Sequence, residues 1–360
     1  MAYYYSKYGA PRRRKNKVRR IIFSVLFLML LIAFGTGYWL YTVVMKPNTW
    51  TPDGKPVSVY VPSNANFDTL KTRLYKNGLI IHRKNFEWWA KQKKLPKLLK
   101  PGRYVITNGM NNNELVDLFR IGKQTPVNVI FNNVRDIYQL AGKVSKQIEA
   151  DSVSIVKLLN DSVYVGMMGV TPRTAATIFI PNTYQMYWNT TADGFVSRMY
   201  QEYLKFWNKD RRKKADSLGL TPTQVVILAS IVEKETNKNS EKPKIAAVYL
   251  NRLKKGWRLQ ADPTVVYAIG DFTIHRVLNE YKKFNSPYNT YKYGGLPPGP
   301  ICIPSISSID AVLNPDKENY LFFCAKDDMS GYHVFARTNR QHQKNARKYQ
   351  KALDKLKVYK

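Results

Sequence analysis

The sequence predicts an α+β protein in three parts: one apolar N-terminal helix, a small α+β module and a larger mixed α+β domain. A chain of 360 residues with 44% apolar content is long enough for two domains with separate cores. Residues 21–45 hold no charged side chain. Beyond them, short alternating segments are interleaved with helix-period segments and punctuated by Gly and Pro. The expected division is a basic tail at 1–20, a transmembrane helix at 21–45, a linker and small module at 46–124, and the larger domain at 125–360.

The N-terminal part sets the compartment. Residues 1–20 are rich in Lys and Arg, densest over Arg12–Arg20, and contain no acid. The uncharged run that follows is long enough, at about 1.5 Å per helical residue, to cross a hydrocarbon core of roughly 30 Å. Tyr38, Trp39 and Tyr41 lie at its far end, where an interfacial aromatic belt belongs. The positive-inside rule places 1–20 in the cytoplasm and everything after Lys46 outside, on a single-pass protein of the inner (cytoplasmic) membrane. A cleaved signal peptide is the competing reading, with Gly35-Thr36-Gly37 as a small-residue site, but its apolar region would be shorter.

The net charge of +33, from 58 basic and 25 acidic residues, predicts attraction to polyanions. Outside a membrane those are anionic lipid and an anionic envelope polymer such as peptidoglycan, and no nucleic acid is expected. Two cysteines, Cys302 and Cys324, and four histidines show no CxxC and no zinc spacing, so neither metal nor cofactor is expected. The two thiols could pair or stay free.

In the small module Val57–Val61 alternates as a strand. A helix over 66–77 follows, capped by Ser63 or Asn64 and ended by Gly78. Lys84–Gln92 is a second helix carrying Trp88 and Trp89. Gly102–Ile106 is the second strand, and 112–121 a helix stopped by Gly122. This order of strand, helix, helix, strand resembles a LysM-like module, a small glycan-binding fold; a plain spacer fits it too.

The larger domain opens with a strand at 126–131, helices at 135–148 and 151–160, an aromatic turn at Phe179–Tyr184 and a long helix at 192–208. Thr221-Pro222 then starts a helix as N-cap and first-turn residue. Its apolar run Val225–Val232 delivers two carboxylates, Glu233 and Glu235. An acid at the edge of a desolvated wall has a raised pKa and keeps a proton for transfer. Residues i and i+2 lie about 200° apart around a helix, so at most one faces a given cleft. The residues alone do not say which. Ser240 is expected to cap a helix running through Leu253 with Gly256 at its end. Asp262-Pro263 is a second cap and first-turn pair. The loops at Ser286–Tyr291 and Gly294–Pro300 carry neutral donors, acceptors and aromatics, which suit a carbohydrate better than a phosphate. A helix at 304–313, strands at 320–325 and 331–335, and a basic helix at 339–357 complete the chain.

Five motifs now stand in order: Ala229–Thr236 (ASIVEKET), Leu259–Thr264 (LQADPT), Tyr288–Tyr291 (YNTY), Gly295–Pro300 (GLPPGP) and His333–Phe335 (HVF). Together they resemble the endolytic murein transglycosylases, the YceG-like family, over roughly residues 57–350. The resemblance implies internal cleavage of peptidoglycan glycan strands, at the β-1,4 bond between N-acetylmuramic acid and N-acetylglucosamine, leaving 1,6-anhydro ends. It places the catalytic glutamate on Glu235 and leaves Glu233 supporting. Gln260, Asp262, Tyr288, Asn289 and Thr290 are then expected to bind and distort the sugar, and His333 to line the cleft. Each has a structural alternative: Asp262 a helix cap, Tyr288 core, His333 a satisfied histidine. Peptidoglycan synthases are candidate partners. Two departures stand out: Asn182 where the family usually has Asp, and Ala261 where it usually has Ser or Thr. A non-catalytic peptidoglycan-binding scaffold and a muramidase-type hydrolase are the alternative functions.

Overall fold

The computed structural model describes residues 12–274 and 276–355. The chain forms two compact units that divide between Pro126 and Val127.

The first unit begins with α1 (Arg12–Val44). Its stretch Lys17–Val44 is long and apolar enough to cross a membrane, and none of its most apolar window is buried in protein. The next residues differ from the expected linker. Asn48, Thr49 and Thr51 are buried. Asn48 Nδ2 donates to Asn112 Oδ1 at 2.7 Å, and Thr49 Oγ1 to the Thr107 carbonyl at 2.8 Å. Pro and Gly mark a bend here, but side-chain hydrogen bonds pin it to the fold.

Strand β1 (Val57–Val61) pairs antiparallel with β2 (Gly102–Ile106), Val57 opposite Ile106. Between them lie α2 (Phe67–Lys76), α3 (Arg83–Gln92) and the single turn α4 (Leu95–Leu98). The cap of α2 is Asn66, accepting from Thr69 N at 2.9 Å, rather than Ser63 or Asn64. α5 (Asn112–Asp117) closes the unit behind a capping box of Asn111 and Glu114. Leu70, Leu74, Phe86, Tyr104 and Phe119 fill the core. Trp88 and Trp89 are half-buried and stacked, and Trp88 meets Trp39 edge-on at 4.9 Å.

The second unit opens with β3 (Val127–Phe131), then α6 (Ile137–Val144), α7 (Ser152–Asn160) and α8 (Ser162–Gly166). Its partner is β4 (Asn182–Met186), antiparallel, Phe131 opposite Asn182. The expected aromatic turn is therefore half strand: Phe179 and Ile180 enter the core and Asn182 begins the ladder. α9 (Ala192–Phe206) and the polar α10 (Lys209–Ser217) lead to α11 (Pro222–Glu235). α12 (Lys242–Lys254), α13 (Asp262–Ile269) and α14 (Ile306–Leu313) follow. The cap position of α12 is Glu241 rather than Ser240. Strands β5 (Phe322–Ala325) and β6 (His333–Ala336) form a hairpin, with α15 (Asn339–Lys355) after it.

All eight residues from Val225 to Val232 are buried. α11 is the axis of this unit, with α12, α13 and α14 packed against it. Each large apolar side chain removed from water contributes about 1.5–3 kcal/mol before the cost of ordering the chain. That burial is what holds the carboxylate end in place. Both cysteines are free thiols, Cys302 buried and Cys324 half-buried.

Candidate active site

Thr221 and Gln224 close a capping box at the start of α11 with Pro222 inside it, which fixes the helix register. The last turn then places Glu233 and Glu235 on different sides.

Glu233 is held in a cage. Its Oε2 accepts from Ser305 Oγ at 2.5 Å, from Lys242 Nζ at 3.1 Å and from Ser308 Oγ. The Lys242 side chain is only 5% exposed and that of Glu233 27%, so the cation is buried and the pair half-buried. Burial works against the charge of Glu233, but the two hydroxyls and the ammonium outweigh it and hold its pKa below the ordinary 4.5. Ser305 sits at the N-cap of α14 without making a cap bond, because its hydroxyl is turned to Glu233.

Glu235 meets the opposite surroundings. Among the described residues its one side-chain donor is the hydroxyl of Tyr249, at 2.5 Å from Oε1. Tyr249 comes from the buried face of α12 and is itself 1% exposed. Burial pushes the Glu235 carboxyl up to about 7; the Tyr249 bond opposes this, Asp262 adds to it, and Arg252 opposes it. The residue still opens to solvent along one side. It is therefore a desolvated acid with an accessible face, half-protonated near neutrality.

That face lies where two cavities meet. One, of about 540 Å³, is lined by Arg135, Lys234, Tyr267, Phe272 and Ile274 together with Glu235 and Asp262. The other, of about 360 Å³, is lined by Tyr249, Arg252, Gln260, Tyr291 and His342, again with Glu235 and Asp262. A chain-like ligand passing from one to the other would cross Glu235. No group of His, Cys, Asp or Glu among the described residues is arranged to hold a metal ion.

The expected site residues divide between this cleft and its supports. Asp262 lines both cavities. It opens α13 as the first helical residue with no capping bond, and its Oδ1 accepts from Tyr291 Oη at 2.5 Å. Gln260 lines the second cavity in a left-handed backbone conformation, φ 51°. Asn289 and Thr290 are buried behind the wall. Asn289 Nδ2 donates to the carbonyls of Lys282 and Phe284, and Thr290 Oγ1 accepts from Ala261 N at 3.0 Å. They fasten the two loops to each other. Tyr288 packs on Tyr267, centroids 4.9 Å apart, and so backs the first cavity. His333 lines neither cavity; its Nδ1 lies 3.0 Å from Glu241 Oε2, tying the hairpin to the start of α12. Asn182 is an exposed strand residue outside both.

The Gly-Pro loop is a support as well. A Cβ at Gly299 would lie 2.3 Å from the Arg173 carbonyl, so only glycine fits there. Beyond it Ile301 N donates to Ser230 Oγ at 3.0 Å, docking the loop on α11. Sequence reading missed Tyr249, Arg252 and His342. Tyr249 and Arg252 look like ordinary members of a helix, and only their three-residue spacing along α12 hints at a shared direction.

A single buried acid with a pKa near neutrality, set in the wall of an open two-lobed cleft, is the arrangement of an acid–base catalyst for an extended substrate. The chain belongs to the YceG-like family, whose profile matches residues 59–348. An endolytic murein transglycosylase of Bacillus subtilis (strain 168) is 29% identical, covering 88% of this chain and 90% of the relative. One from Streptococcus pneumoniae (strain R6) is 27% identical over 92% of this chain and 65% of the relative. The crystal structure of a YceG-like protein from Listeria monocytogenes superposes with a TM-score of 0.54 at 27% identity, covering 80% of this chain and 98% of that one.

Proposed function

We propose that this protein is an endolytic peptidoglycan lytic transglycosylase with Glu235 as its acid and base. The observation that carries the reading is a carboxyl raised to about 7 at the shared wall of two open cavities. Protonated Glu235 gives its proton to the oxygen between N-acetylmuramic acid and N-acetylglucosamine as the C1–O bond breaks. The carboxylate then takes the proton of the muramyl C6 hydroxyl, whose oxygen closes on C1 to give the 1,6-anhydro ring. The nucleophile belongs to the same sugar, so no second carboxylate is required to activate water. Tyr249 occupies Oε1 and leaves Oε2 for the reaction.

One helix long and apolar enough to cross a membrane, preceded by the basic sequence 1–20, supports a site held on the outer side of the inner membrane. Peptidoglycan synthases are the protein partners this placement favours. The strand, helix, helix, strand order of the first unit supports reading it as a LysM-like glycan-binding module.

One observation favours a second chemistry. Asp262 shares both cavities with Glu235, and a muramidase-type hydrolase would use such a pair. The test is to incubate the detergent-solubilised chain with purified sacculi and identify the new glycan ends by mass spectrometry. Internal anhydro ends are expected. Reducing ends would replace the transglycosylase by a hydrolase, and no new ends of either kind would leave a binding scaffold.

A further inference from the structure

The substrate cleft does not stop at Glu235 and its neighbours. Asn339, His342 and Gln343, from the first turns of α15, line the second cavity beside Arg252 and Phe322. His342 stacks on Phe322 at 5.3 Å and its Nδ1 is buried with no partner. Gln343 also belongs to the outer surface of α15, where it adjoins Arg340, Lys344, Arg347, Lys348 and Lys351. These basic positions fall within about 100° of one another around the helix and therefore share one face. All five are exposed. The opposite face, with His342, Ala346, Tyr349 and Leu353, is the half-buried one toward the hairpin. From Arg340 to Lys351 the stripe runs about 16 Å at 1.5 Å per residue. The one acid in the helix, Asp354, accepts from Gln350 instead. At the far end Asp327 and Asp328 border Lys348 and Lys351, and Asp328 is already taken by Lys326 at 2.6 Å.

A helix whose first turns line the catalytic cleft, and whose adjoining face, reached through Gln343, carries cations with no ion pair among the described residues, has a direct use. We infer that α15 extends the glycan-binding groove and holds the carboxylates of the stem peptides carried by the same strand whose backbone crosses Glu235. The inference rests on the transglycosylase reading for the identity of the strand. Its physical content is a row of cations that adjoins the second cavity at Gln343, matched to a polymer that repeats a carboxylate along its length. An isolated phosphate patch would not need to run into the cleft. The row works by long-range attraction and is weakened by salt.

The experiment uses the full chain in detergent, carrying Glu235→Gln so that binding is read without cleavage. Co-sedimentation with sacculi is compared between this background and the same chain with Lys344, Arg347, Lys348 and Lys351 changed to Gln. Glutamine keeps the helix-forming character of these exposed positions, and thermal melting checks that the fold is retained. Binding to native sacculi is expected to fall about tenfold at low salt, the lower end of what a charge-lined groove contributes to capture. It is also expected to lose most of its salt dependence. Sacculi whose peptide carboxylates have been converted to amides should bind the two proteins alike. Equal binding to native sacculi overturns the inference. So does a deficit that persists on amidated sacculi, or one seen only with vesicles of anionic phospholipid, which would make the stripe a lipid contact. A wild-type chain that produces no new glycan ends would remove the transglycosylase reading and leave this binding result to stand or fall by itself.

Discussion

At the end of α11, Glu233 points into hydroxyls and an ammonium, while Glu235 points toward a phenol and the wall of a cleft. Burial is the largest influence on both, and it acts in the same direction on both. What separates them is the number and charge of the donors. Glu233 receives two serine hydroxyls and a lysine on one oxygen, which is enough to overcome desolvation and keep it ionised. Glu235 receives one phenol and faces a second carboxylate, Asp262, so desolvation wins. Two residues of helix thus separate a carboxyl held ionised from one whose pKa is raised, the proposed proton donor. Glu235 is also the more deeply buried of the two, so donor count and depth of burial act together in dividing the roles.

The largest test of this contrast is Glu235→Gln. Removing a general acid costs about 10²–10⁴-fold in rate, and in the proposed mechanism the same group is also the base, so release of glycan ends should fall to background. The fold should hold. Because the folded pKa is raised to about 7 from 4.5, the folded state keeps a proton that the unfolded chain releases between those values. Stability therefore falls as pH rises through roughly 4.5 to 7 in the wild type, and that slope should be missing in the variant. Urea melts at pH 5 and pH 8 measure it. Retained cleavage by Glu235→Gln would abolish the division of labour.

Glu233→Gln comes next, and its effect should appear in stability. Lys242, 5% exposed, would lose its anion; a fully buried pair broken by removing one partner loses about 3 kcal/mol, and with Glu233 27% exposed the loss here should be smaller, about 1–3 kcal/mol. The pKa of Glu233 is lowered, so its contribution is present above the unfolded value and lost as pH falls through the depressed one. The variant should melt lower at pH 7 than the wild type, with the gap closing in acid, while cleavage at low temperature stays measurable. A normal melting point combined with lost cleavage would move Glu233 into the chemistry.

Much of this arrangement is legible in the sequence, and the boundary is physical. Thr221-Pro222, the apolar run and the two acids announce α11 because caps and helix periodicity are local signals. The loops were read as polar and ligand-facing, yet Asn289 and Thr290 spend their hydrogen bonds on backbone groups of the neighbouring segments. Composition does not reveal which way a polar side chain in a Gly/Pro loop turns. Nor does it reveal Tyr249, which lies 14 residues beyond Glu235 inside an ordinary apolar stretch. Only the crossing of α11 and α12 brings the two together. The basic terminal helix was visible as a helix, but its first turn entering the cleft depends on how the β5–β6 hairpin carries it.

The smallest expected effect is also the most discriminating. Asp262 raises the Glu235 pKa and Tyr249 lowers it. In Asp262→Asn the like charge is gone while the Tyr291 hydroxyl keeps an acceptor oxygen, so the loop stays docked. The acid must be protonated to act, so kcat/KM should decline as pH rises through about 7 in the wild type. The midpoint of that decline should move to lower pH in Asp262→Asn. It should move to higher pH in Tyr249→Phe. Each shift should be under about one pH unit, because burial remains the larger influence in both variants. Opposite movements would tie the titration to Glu235, the carboxyl on which Asp262 and Tyr249 act in opposite directions. Movement in one direction for both would assign it elsewhere. Complete loss of cleavage in Asp262→Asn, with the fold intact, would mean that the second carboxylate takes part in bond breaking, and the single-acid mechanism would give way to the paired one.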